Sequence, residues 1–144
     1  MKLCSACLLG VDCKFDGKNN AHPKILASSE TWIPVCPEQL GGLPTPREPA
    51  EATGDGNYII EGKAKVITRS GKDVTSCFVK GAQETLKLAR LYGVKEAVLK
   101  QRSPSCGSGQ IYDGTFSHKT ISGDGVTTAL LKKNGIAVVD EEHF

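Results

Sequence analysis

The chain has 144 residues, 39% of them apolar and 24% charged, with a formal net charge of +2. That is enough polypeptide for one domain with a buried core and too little for a second. Lysine and arginine are scattered rather than clustered, which argues against a nucleic-acid track, and no apolar run approaches the roughly 20 residues of a membrane helix.

Residues 1–7 read as a buried first strand. A leader peptide fits less well, because the apolar stretch is short and Asp12, Lys14 and Asp16 follow at once. The cytoplasm is the expected compartment. A turn-rich loop through Asp16-Gly17-Lys18-Asn19-Asn20 leads to a short helix over His22–Glu30, where Pro23 is tolerated in the first turn. Trp32–Val35 is a second strand that ends at Cys36-Pro37-Glu38, and Gln39–Pro49 is irregular, dense in glycine and proline. Tyr58–Ile60 and Ala64–Thr68 predict a small hairpin around Glu61-Gly62-Lys63. From Asp73 or Thr75 to Tyr92 the stripe of Phe78, Ala82, Leu86 and Ala89 predicts a helix, with Gly93 as its stop. Val94–Lys100 is the next strand, Arg102–Gly109 its following loop, Gly125–Asn134 a helix and Ile136–Val139 a last strand. Helices alternating with strands predict an α/β fold: a three-layer, helix-flanked, mostly parallel, Rossmann-like sheet with a small β-hairpin insertion, forming a single domain over residues 1–144.

Three of the six cysteines, Cys7, Cys36 and Cys106, each lie where an apolar, strand-like run breaks into a loop. In a parallel sheet the carboxyl ends of strands converge on one crevice, so these thiols are expected to meet there. Three ligands are too few to close a tetrahedral structural site, and they leave a coordination position open for chemistry. A disulfide framework would need a secreted, loop-rich scaffold, which this is not. Cys4 and Cys7 form the one close pair, but on an extended strand positions three apart face opposite sides, unlike a redox pair at a helix start. No cysteine is followed six positions later by arginine, so phosphatase-type chemistry falls away. A closed zinc site from Cys4, Cys7, Cys13 and Cys36 lacks a second close pair. Cys4 and Cys77 read as packing residues, while Cys13 is open between a fourth ligand and a sulfur acceptor.

Cys36-Pro37-Glu38 sets a carboxylate two residues from a candidate ligand. Ser103-Pro104-Ser105-Cys106-Gly107-Ser108-Gly109 adds hydroxyls, Ser105 among them, and backbone N–H groups beside another. These segments, with Ser5-Ala6-Cys7-Leu8-Leu9-Gly10, Gly42-Leu43-Pro44-Thr45-Pro46-Arg47, Ile111-Tyr112-Asp113-Gly114-Thr115-Phe116 and Gly123-Asp124-Gly125-Val126-Thr127, resemble the signatures of the thiouracil desulfidase family, in order and over essentially the whole chain. The resemblance implies an oxygen-sensitive [4Fe–4S] cluster held by Cys7, Cys36 and Cys106, with one iron free of protein ligands. It implies Glu38 as the acid/base carboxylate, Ser103 on the substrate side, and Cys13 as a recurring cysteine outside the ligand set. The implied reaction converts a thiocarbonyl to a carbonyl plus sulfide on a small thiolated pyrimidine such as 2-thiouracil, without net redox change.

Among the remaining polar residues, Asp12 and Asp16 are expected to face either the pocket or water. Asp124 is read as either part of an anion site at a helix start or a cap. His22, His118 and His143 are expected to be solvated or capping, and Arg47 and Arg102 to meet a substrate edge or a carboxylate. The competing readings are a zinc-binding structural or interaction module, a tRNA-directed sulfur transferase, and an electron carrier, which would normally complete four-thiolate ligation.

Overall fold

A computed structural model describes all residues from Met1 to Phe144. Four strands, β1 (Lys2–Ser5), β2 (Trp32–Val35), β5 (Glu96–Leu99) and β8 (Ala137–Asp140), form a parallel sheet in the order β2-β1-β5-β8. Between them the chain inserts helices α1 (Pro23–Leu26) and α2 (Pro37–Leu40), strand β3 (Ala50–Ala52), helix α3 (Gly56–Ile60), strand β4 (Val66–Thr68) and helix α4 (Thr75–Leu91). Strands β6 (Gln110–Tyr112) and β7 (Thr120–Ser122) and helix α5 (Val126–Lys133) follow β5. The layered α/β architecture expected from the alternation of elements is therefore present.

Alternation along the strands sorts the core. Leu3, Val35, Ala97 and Leu99 face α4 and α5, where they pack with Leu86, Ala89, Leu131 and Ile136. Cys4 and Val98 point the other way, onto Leu8 and Ile25. A third cluster joins the insertion to the helical layer, with Ala52, Ile59, Val66 and Ile111 closing on Phe78, Ala82 and Val126. Helix α4 forms where its stripe predicts: Phe78, Ala82, Leu86 and Ala89 are buried, Asp73 accepts the Thr75 N–H and hydroxyl at its start, and Gly93 follows with φ +65°.

Three expectations need correction. Tyr58–Ile60 is the body of α3, started by Asp55, which accepts the Asn57 N–H; the hairpin instead pairs Ala50–Ala52 with Val66–Thr68. The first strand ends at Ser5, and Cys7 lies in a 3₁₀ turn over Ala6–Leu9 closed by Gly10 at φ +88°. The helix placed over His22–Glu30 is a single turn, Pro23–Leu26. The second hairpin, β6–β7, falls in a stretch for which no strand was expected.

β1 lies between β2 and β5. The crossover from β1 runs outward to β2, and the chain later returns to β1's other side as β5. Connections leave the carboxyl ends of β1 and β5 in opposite directions, and the crevice this opens is where α/β sheets bind ligands.

Candidate functional site

A cavity of about 400 Å³ opens at this crevice, and Cys7, Cys13, Cys36, Glu38, Ser103 and Cys106 all line it. Each is fixed by the loop that follows a strand. The Cys7 carbonyl accepts the N–H of Gly10 and of Asn20, which folds the long loop back over the turn. Cys36 is the N-cap of α2; its carbonyl accepts the Leu40 N–H, and Pro37, with no N–H to leave unpaired, opens the helix. Glu38 is therefore held one residue into α2.

Cys106 is held most firmly. The Ser103 hydroxyl oxygen accepts the N–H groups of Ser105 and Cys106 at 3.1 Å each, and the Thr128 hydroxyl donates to the Cys106 carbonyl at 2.8 Å. The first turn of α5 clamps the same loop: Val126 and Thr127 donate their N–H groups to the carbonyls of Pro104 and Ser105. Gly125 has no room for a side chain, since a Cβ there would stand 2.4 Å from the Ser105 carbonyl. The donors at the start of α5 are thus consumed by the cysteine loop. Asp124 accepts the Gly109 N–H and pairs with Lys132, so it acts as a brace.

All six cysteines are free thiols. Cys13 is buried between Cys7 and Cys36, and hydrogen bonding from its thiol draws Cys7 down to about 7 and Cys36 to about 6, against the opposing effect of burial. The same bonds, with burial, push Cys13 itself upward. Burial raises Cys106, against a hydrogen bond with Ser5. Cys4, wholly buried on the opposite side of β1, is pushed by burial to about 12 and takes its packing role. Cys77 lies in α4 and does not line the cavity.

Glu38 is raised by burial, and the ion pair with Arg47 at 3.1 Å opposes that shift. Arg47 is 6% exposed and also donates to the carbonyls of Pro44 and Cys13 and to the Thr45 hydroxyl. One guanidinium therefore ties the Gly- and Pro-rich segment, the Cys13 loop and the acid/base candidate together.

Two additional candidates do not reach the cavity. Asp12 is exposed and accepts the Asn19 amide; Ser105 is fully buried, its hydroxyl hydrogen-bonded to Thr127. Asp16 is likewise turned to Lys14 and Lys18 on the outside. Arg102 pairs with Glu142 away from the cavity. His118 is exposed, as expected, and also lines the cavity beside Tyr112, ring centroids 6.3 Å apart. Glu51, Phe15 and Phe116 also line it, and nothing in the local sequence marked the first two. The one available signal was Phe116 within the Tyr112–Phe116 segment already singled out.

The donor set suits a cluster better than a single ion. One zinc ion would need sulfurs all about 2.3 Å from one point. No three His, Cys, Asp or Glu side chains stand close enough to grip one metal. An iron–sulfur cluster would be held by thiolates, and Cys7, Cys36 and Cys106, arriving from three separate loops, are the residues that would hold it. Three thiols converging from three strand ends on a cavity, with no fourth protein ligand required, meet that need.

Comparison with known proteins agrees with the geometry. A Bacillus subtilis (strain 168) protein called uncharacterized protein YbbK is 48% identical over 147 residues, covering 100% of this chain and 97% of its own. The solved structure of the [4Fe–4S]-dependent thiouracil desulfidase TudS superposes with a TM-score of 0.87 at 41% identity, covering 99% of this chain and 91% of TudS. The model of the 2-thiouracil desulfurase family matches residues 3–143, and this chain belongs to that family.

Proposed function

We propose that this chain is a desulfidase that carries a [4Fe–4S] cluster on Cys7, Cys36 and Cys106 and removes sulfur from a small thiolated pyrimidine such as 2-thiouracil. The observation that carries this reading is the meeting of those three thiols with Glu38 and Ser103 on one cavity at the switch point of the sheet. Family membership and the likeness to TudS support it. Six free thiols fit work in the cytoplasm, where thiols stay reduced; no helix is long and apolar enough to cross a membrane.

When bound, such a cluster supplies an open Lewis-acidic iron with affinity for soft sulfur. The protein's own groups do the rest. Conversion of a thiocarbonyl to a carbonyl needs water to add at the carbon and a proton to shift toward the departing sulfur. Glu38, raised by burial, takes the proton from water as base and returns it as acid. Arg47 keeps that carboxyl in one orientation and limits how far its pKa climbs. The Ser103 hydroxyl accepts two backbone N–H groups, so its own hydrogen is left to donate to the oxygen that adds at the reacting carbon. The balance is thiocarbonyl plus water to carbonyl plus hydrogen sulfide, with no electron transferred.

The test is reconstitution without oxygen, followed by quantification of iron, acid-labile sulfide and zinc, and incubation with 2-thiouracil. The expected result is about four irons and four sulfides per chain, a broad visible absorbance, and uracil with released sulfide. A cluster without turnover on thiolated pyrimidines overturns the substrate class, and zinc in place of iron overturns the cluster.

A further inference from the structure

Glu51 sits on the cavity wall formed by the insertion, on a different element from any residue the mechanism uses. The residue as a whole is 9% exposed. Both of its protein hydrogen bonds fall on one oxygen: Oε1 accepts the Gly114 N–H at 3.0 Å and the Phe116 N–H at 3.1 Å. Oε2 has no hydrogen-bond partner in the protein, and no lysine, arginine or histidine forms an ion pair with Glu51. The nearby Arg69 is directed at the Phe116 ring, 5.6 Å from its centroid. A carboxylate oxygen on the cavity wall with no protein donor has its lone pairs free for a donor that a ligand brings.

Resting on the desulfidase reading, we infer that Glu51 is a specificity-determining residue whose Oε2 accepts the ring N–H that flanks the thiocarbonyl of the substrate. The chemistry is complementary. In 2-thiouracil the carbon bearing sulfur is flanked by ring N–H groups, strong donors with no thiol-side partner. Cys7, Cys36 and Cys106 line the same cavity, and Glu51 supplies an acceptor on the wall formed by the insertion. The Phe116 backbone is pinned by the same carboxyl, so the acceptor and the aromatic wall are set by one residue. The substrate class that follows is a cyclic thioamide or thiourea with a free ring N–H, rather than any thiocarbonyl compound.

Glu51→Gln separates the two jobs of the side chain. The glutamine carbonyl oxygen can keep the Gly114 and Phe116 bonds, while its NH₂ replaces the free acceptor with a donor. Cluster-loaded protein, with iron and sulfide quantified, is assayed with 2-thiouracil and with its N1-methyl and N3-methyl derivatives. The expectation is unchanged iron content in Glu51→Gln, kcat/KM for 2-thiouracil lowered about ten- to a hundredfold, and the loss carried by KM. Wild type should reject at least one methylated base by a similar factor, and the variant should lose most of that discrimination. A variant with full iron and wild-type KM overturns the inference, as does a wild type indifferent to both methyl groups, a readout that stands even if the variant fails to fold. Absence of sulfide release by loaded wild type is a different result, which sinks the desulfidase reading itself.

Discussion

Cys7, Cys36 and Cys106 differ chemically although they share a cavity. Cys36 and Cys7 are drawn down to about 6 and about 7 by the Cys13 thiol, whereas burial raises Cys106 and holds Cys4 at about 12. In cluster-free, reduced protein at pH 7, iodoacetamide should therefore label Cys36 and Cys7 first, because the thiolate is the nucleophile. Dropping to pH 5 crosses below both lowered values and should slow them. Peptide mapping by mass spectrometry reads the order; Cys106 or Cys4 reacting first would show the assigned environments to be wrong. Under the cluster reading, alanine at Cys7, Cys36 or Cys106 should abolish iron retention, while Cys77→Ala keeps it. Glu38→Gln should retain iron yet lose turnover by ~10²-fold or more, since Arg47 still has three other acceptors to hold it in place. At this scale the sequence was legible where chemistry clustered locally: Cys36 with Glu38, and Ser103 with Cys106. It was opaque for Asp12 and Ser105, whose direction depends on which side of a loop faces in, and for His118, whose positive φ of 61° and ring partner are tertiary facts.

Elements carry the site through close backbone contacts. α2, which presents Glu38, lies directly on α4: a Cβ on Gly81 would stand 1.9 Å from the Pro37 carbonyl oxygen, and one on Gly41 2.0 Å from that of Cys77. Both obstacles are backbone, so neither can swing aside. Gly81→Ala should therefore cost about 3 kcal/mol by overpacking and push α2 off its seat. Gln83→Ala, on the exposed side of the same helix, should stay within about 0.5 kcal/mol. Urea unfolding checks both, and equal stability of the two variants would remove the tight α2–α4 contact from the account. The sequence could not announce this pair, because Gly81 inside a helix reads only as a weak helix former until its neighbour is known. The hairpin was misplaced for a related reason. Tyr58-Ile59-Ile60 is a short apolar run for which strand and helix patterns are indistinguishable, and the decision rests on Asp55, which starts the turn and also accepts the Asp124 N–H from far along the chain.

For the molecule as a whole, the three cluster candidates reach one cavity from the ends of strands in one sheet. Register fixes Cys4 beside Pro34 on β2 and Val98 on β5, and the strand ends carrying the cysteines follow from that pairing. The apolar clusters that enclose the sheet are complete with protein side chains alone. Alternating elements and the rule that ligands bind at strand carboxyl ends point to one crevice without giving the strand order, which is why the cavity was legible in the sequence. The wall formed by the insertion was not, because its ties run from Glu51 to Gly114 and Phe116, 63 and 65 residues apart. This division predicts how the protein answers to metal removal. A cluster bound only by the native arrangement stabilises that arrangement by mass action, but it is not needed to create it. Anaerobically loaded protein should melt about 5 °C or more above the cluster-free form, the shift that ~2 kcal/mol gives a domain of this size. The cluster-free form should still unfold cooperatively and keep its far-UV circular dichroism. Scanning calorimetry and dichroism on both forms decide it: a cluster-free chain without a transition would mean that the cysteine ligation organises the sheet, as metal does in a zinc finger, and not the reverse.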